Sequence, residues 1–117
     1  MTNKNTMGLD GFSFIEFATP EREKLQAQFS TLGFTKIAHH KQKAITLHKQ
    51  GNILFFINTE PTSLAERFAI EHGASACAMG FYVADAEKAL ELAVSNGATP
   101  FTITVNPGEM HLPAILA

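Results

Sequence analysis

Apolar and polar positions repeat with two different periods along this chain, and the points where the period changes mark out its elements. The run "GFSFIEFATP" at 11–20 is apolar apart from Ser13, Glu16 and its Thr-Pro end, and it predicts a strand over 12–17. "TPEREKLQAQFSTLG" then changes to helical spacing, with Leu25, Phe29 and Leu32 on one face. Thr19 is placed to cap that helix, Pro20 suits its first position, Glu21 complements the positive helix end, and Gly33 can stop it. "FTKIAHH" and "AITLHK" alternate around a polar "KQK", and after "QGN" comes "ILFFIN". These three runs predict a meander. In "PTSLAERFAIEHG" Ser63 and Glu66 have capping-box spacing, Leu64, Ala65, Phe68 and Ala69 share a face, and Gly73 ends the helix, which links two halves. The second half predicts a strand "CAMGFYV" at 77–83, a helix from Asp85 to about Asn96, the stop Gly97, and a strand "FTITV".

Laid side by side, the halves repeat weakly. "FIEFATPEREKLQAQFSTLGFTKI" answers "MGFYVADAEKALELAVSNGATPFTI", with Phe17 matching Val83, Thr19 matching Asp85 and Gly33 matching Gly97. A unit that cannot cover its own sheet face is expected to pair with its copy. The pattern therefore predicts an α+β fold of two paired βαβββ modules in one curved sheet, about 9–60 and 75–117, within a single domain. The second module reads as cut short, because "NPGEMHLPAILA" leaves room for one further strand at most.

Composition narrows the function classes. A chain of 117 residues, 45% hydrophobic and 17% charged, can bury one core without disulfides. A net charge of −2 with no basic stripe argues against nucleic acid as a partner. Apolar runs such as "ILFFI" are too short to span a bilayer, and the N-terminus lacks a signal-like segment, so a cytosolic setting is expected. Cys77, the sole cysteine, lies in "SACAMGFYV" and reads as a packed hydrophobe. Ten phenylalanines against one tyrosine and no tryptophan imply a phenylalanine-filled interior.

Repeated βαβββ modules with this strand-to-helix spacing resemble the vicinal oxygen chelate (glyoxalase/bleomycin resistance) superfamily. The runs "MGLDGFSFIEFATP", "LGFTKIAHHKQKAITLHKQGNILFFIN", "FAIEHGASACAMGFYVADAEKA" and "GEMHLPAI" together resemble the N-terminal domain of 4-hydroxyphenylpyruvate dioxygenases along nearly the whole chain. Hydroxymandelate synthases share that domain. The resemblance implies a parent enzyme that uses non-haem Fe(II) and O2 to turn 4-hydroxyphenylpyruvate into homogentisate in tyrosine catabolism. It also implies that the iron sits in a C-terminal catalytic domain, the partner of this one, on two imidazoles and a carboxylate.

Metal-binding members of the superfamily place a ligand five residues before the positions of Phe17 and Val83. Those sites hold Phe12 and Ala78, which have no lone pair to give. No catalytic, cofactor-binding or metal-ligating residue is therefore assigned to this chain. Glu16 shares a strand face with Phe12 and Phe14; rather than a ligand or general base it reads as a strand-end carboxylate that reaches solvent or a backbone N–H near the helix start, and Arg22 or a lysine is expected beside it if it is enclosed. His39 and His40 alternate faces beside a turn at 41–42, His48 lies further along the ladder, and all three read as solvated or surface-paired. His72 suits the negative end of its helix, and His111 has only Glu109 near it. The reading that follows is a metal-free scaffolding and assembly domain, dimeric through an open sheet edge. The alternative is a free-standing binding protein that encloses a small aromatic molecule among Phe12, Phe14, Phe55 and Phe56.

Overall fold

A computed structural model describes residues 4–102, 107 and 112–116. In chain order the elements are β1 (Leu9–Ala18), α1 (Arg22–Thr31), β2 (Thr35–His39), β3 (Ile45–Gln50), β4 (Ile53–Asn58), α2 (Leu64–His72), β5 (Ser75–Val83), α3 (Ala86–Ser95), β6 (Thr99–Pro100) and β7 (Ile115–Leu116). The fold is α+β, with a five-stranded sheet in the order β2-β3-β4-β1-β5 and a separate β6-β7 ribbon. Two compact units result, one over Phe12–Phe81 and one from Met1–Gly11 with Tyr82–Ala117.

Within the first unit the expected meander forms. Strands β2, β3 and β4 run antiparallel, and β4 lies parallel to β1 with Phe17 opposite Ile57. The β3–β4 hairpin closes on Gly51 and Asn52, with Gly51 at φ 58°, as a tight two-residue loop requires of its first residue. The β2–β3 connection is longer than a turn at 41–42. His40 takes the loop's own amides, its Nδ1 accepting from Gln42 N–H at 3.0 Å and Lys43 N–H at 2.9 Å. A bulge at Ile37 breaks the β2–β3 register between Lys36 and Ala38.

Helix α1 starts later than the caps suggested. The Thr19 hydroxyl accepts from Glu21 N–H at 3.0 Å, a local turn that competes with helix, and the cap position falls to Glu21 without a side-chain bond. Strand pairing holds Ala18 against Asn58, so the chain stays extended up to the turn. At the other end Leu32 is the cap residue and 65% exposed, not part of the buried face. Gly33 follows with φ 99°, and Phe34 N–H reaches back to Phe29 O at 2.9 Å. Helix α2 matches its capping signals, with the Ser63 hydroxyl accepting from Glu66 N–H at 3.1 Å and Gly73 at φ 71°.

Two cores flank the sheet in this unit. Leu25, Phe29, Phe34 and Ile57 form one, joined by Phe17 and Phe55. Ala18, Ala65 and Ala69 form the other, joined by Phe68 and Cys77. In the second unit Asp85 caps α3 by accepting from Lys88 N–H at 3.2 Å, and Gly97 at φ 103° ends it. The strand expected as "FTITV" is not seen as such. The ladder begins earlier, at Thr99, and leaves Phe101 beyond its end, while residues 103–105 lie outside the described residues.

Candidate functional site

Alternation along β1 sends Phe14 and Glu16 to one face of the sheet, and Ile15 and Phe17 to the face that α1 covers. Phe56 is paired with Glu16 across β4, and its ring meets Phe14 edge-on at 5.1 Å. Glu16 is half-buried there. Its Oε2 accepts from the Cys77 thiol at 3.3 Å and from Asn58 Nδ2 at 3.4 Å. Asn58 is itself oriented, since its Oδ1 accepts from Glu60 N–H at 2.9 Å. Among the described residues, neither a backbone N–H nor the cation expected for an enclosed Glu16 is its partner. Arg22 instead donates to Ala44 O at 2.7 Å and to the Thr59 hydroxyl, tying the start of α1 to the chain around β3 and β4.

The Cys77 thiol is held protonated. Burial, then the Glu16 charge and the hydrogen bond to it, push its pKa up to about 12. A thiolate nucleophile at neutral pH is thereby disfavoured, in line with the packed-hydrophobe reading of this residue. The cluster is thus a carboxylate satisfied by two weak neutral donors, able to accept a further hydrogen bond but poorly equipped for nucleophilic chemistry.

Phe12 and Ala78, the two positions expected from the resemblance to correspond to ligands, are both exposed. Phe12 is 67% exposed and its ring lies 4.9 Å from that of Phe81, while Ala78 lies on β5. The Phe-rich side is therefore an open surface at Phe12 rather than an enclosed lining. A depression of about 330 Å³ lies elsewhere, between the start of α1 and the chain after α2, lined by residues that include Thr19, Lys24, Gln28 and Gly73. No phenylalanine lines it.

The histidines disperse. His39 and His72 are exposed, and His72 closes the last turn of α2 with its ring 4.5 Å from that of Phe68. His48 corrects the expectation of a solvated imidazole. It is 3% exposed, beneath α1, with Nε2 2.9 Å from the Thr46 hydroxyl and its ring 5.4 Å from that of Phe29. The parity of β3 already set His48 with Thr46 on one face, but nothing local said that α1 would cover that face. Glu109 and His111 lie outside the described residues. Among the described residues no three His, Cys, Asp or Glu side chains come together as a metal site would need, and no helix is long and apolar enough to cross a membrane. Gly80 also escaped the sequence reading: a Cβ there would run into the Phe14 ring.

Comparison with known proteins gives a consistent family. The profile described as "Hydroxyphenylpyruvate dioxygenase, HPPD, N-terminal" matches residues 3–117. The chain is 49% identical over 118 residues to a 4-hydroxyphenylpyruvate dioxygenase of Legionella pneumophila strain Corby, covering 100% of this chain and 33% of that one. It is 47% identical over 112 residues to a 4-hydroxyphenylpyruvate dioxygenase of Pseudomonas sp. strain P.J. 874, covering 96% and 31%. A solved xylose isomerase-like TIM barrel/4-hydroxyphenylpyruvate dioxygenase fusion protein superposes with a TM-score of 0.82 at 36% identity, over 93% of this chain and 18% of that one. The chain thus spans about a third of the length of the curated dioxygenases it matches.

Proposed function

The chain belongs to the hydroxyphenylpyruvate dioxygenase N-terminal family, and from that premise we propose that it serves as the non-catalytic N-terminal domain of a 4-hydroxyphenylpyruvate dioxygenase. The match of residues 3–117 to that domain, in relatives about three times as long, carries the reading. In it the 117 residues are one domain of two βαβββ modules, about 9–60 and 75–117, in a cytosolic enzyme. The whole protein converts 4-hydroxyphenylpyruvate to homogentisate, with Fe(II) supplying the oxygen chemistry in a C-terminal partner domain. The present domain braces that partner and contributes to contacts between subunits of a dimer. The alternative parent is a hydroxymandelate synthase.

Among the described residues the donor set does not fit iron. Phe12 and Ala78 have no lone pairs at the two ligand positions. Glu16 is occupied by the Cys77 thiol and Asn58 amide, and His48 is packed in the core. A free-standing binder of an aromatic molecule draws less support, because Phe12, at 67% exposure, offers an open surface.

One preparation of the purified chain tests the proposal. Metal analysis and oxygen uptake on 4-hydroxyphenylpyruvate are expected to show neither stoichiometric iron nor turnover, and light scattering at high micromolar concentration is expected to show a dimer. Iron with turnover would overturn the non-catalytic role. A monomer would overturn the assembly role.

A further inference from the structure

Among the described residues, His48 is the imidazole enclosed in the phenylalanine core, and it has no part in the proposed scaffolding role. His48 is 3% exposed and its hydrogen-bond neighbour Thr46 is 2% exposed, so both polar groups sit in a seam that water does not reach. Each element around the seam contributes identifiable groups. From α1 comes Phe29, edge-on at 5.4 Å, and from β4 comes Phe55, the cross-strand partner. From β3 itself comes the Thr46 hydroxyl at 2.9 Å from Nε2. The charged and titratable groups come from β2, where Lys36 is paired with His48 and His39 with Thr46.

A neutral imidazole suits this place, because one ring nitrogen is satisfied by Thr46 and the ring faces are packed by phenyls. An imidazolium does not. It would bring a second charge beside the Lys36 ammonium, remove that charge from water, and need an acceptor at Nδ1 that none of the described residues supplies.

We propose that His48 is a proton-sensitive latch on the α1 layer: neutral, it seals the seam between β3 and α1, and protonated, it breaks that seam and loosens α1 together with the β2–β3 hairpin. Burial first, and Lys36 second, lower its pKa from the ordinary imidazole value. The sign follows. The folded value lies below the unfolded one, so as pH falls through about 6.5 the unfolded chain takes up the proton first, and stability drops until the folded value is reached.

The test uses the 117-residue chain. Ring resonances of His48 followed by NMR from pH 7.5 to 4.5 are expected to titrate below about 6.5. Over the window between that value and 6.5 the unfolding constant is expected to rise about tenfold per pH unit from this group. Protection of the Phe34 amide, bonded to Phe29 O across the end of α1, should fall in step. His48→Gln should remove this part of the acid sensitivity, His39→Gln should leave it, and Lys36→Met should move the His48 titration up. A His48 ring that titrates at or above about 6.5, or an undiminished acid loss in His48→Gln, overturns the latch. Should His48→Gln fail to fold, the ring titration with and without Lys36 decides.

Discussion

The two faces of the sheet around β1 and β4 are built on opposite terms. Under α1, Phe29 sits 5.2 Å from Phe17, 5.3 Å from Phe55 and 5.7 Å from Phe34, and Phe34 stacks on Phe55 at 4.4 Å. Its buried polar side chains on β3, Thr46 and His48, lie 2.9 Å apart at the imidazole Nε2. On the other face Phe14 and Phe56 share their surface with a carboxylate, a thiol and an amide, all only half-buried. The difference teaches which face holds the fold and which is available to something else. A closed ring network is sensitive to any loss of volume, whereas a partly wet polar cluster tolerates change and can be tuned.

That contrast can be broken most forcefully at Phe29. Phe29→Ala removes the ring shared by four aromatic partners and is expected to cost about 3–5 kcal/mol, read as a large drop in the urea midpoint. A loss below about 1 kcal/mol would mean that α1 is not the main cover of the sheet.

A middle-sized effect is expected at the seat of the Phe14 ring. Gly80→Ala should destabilise by about 1–3 kcal/mol, because the new methyl group overlaps the ring, and Phe14→Leu in the same chain should recover part of the loss. Additive losses in the double variant, measured by denaturation, would show that ring and glycine are not in contact.

The smallest stability change, with a chemical readout instead, belongs to Glu16. Removing its charge in Glu16→Gln takes away the coulombic cause that raises the Cys77 pKa but leaves burial, the largest, and an oxygen that still accepts from the thiol. The thiol should therefore titrate below its present value of about 12 and alkylate faster at pH 9, without becoming a reactive cysteine. An unchanged rate would separate Glu16 from Cys77.

Local signals read well wherever a single residue decides the backbone. Ser63 and Asp85 cap their helices, and Gly33, Gly73 and Gly97 end helices with positive φ, because those roles depend on the residue's own chemistry. The start of α1 read less well. Thr19 could cap a helix or close a turn, and the extended pairing of Ala18 with Asn58 favours the turn. Leu32 had helical spacing with Leu25 and Phe29, yet it falls at the helix end, where the chain is already leaving for Phe34.

By itself the sequence determined the order of strands and helices through α3, the caps of α2 and α3, the lack of a donor at Phe12 and Ala78, and the resemblance that family comparison then supported. Only the tertiary structure decided who meets whom across the sheet. Glu16 finds Asn58 and Cys77 at separations of 42 and 61 residues, not the nearby Arg22. Period two states which residues share a face, but not which face a helix will cover. That is why His48 read as a surface imidazole and proved to be the polar centre of the core.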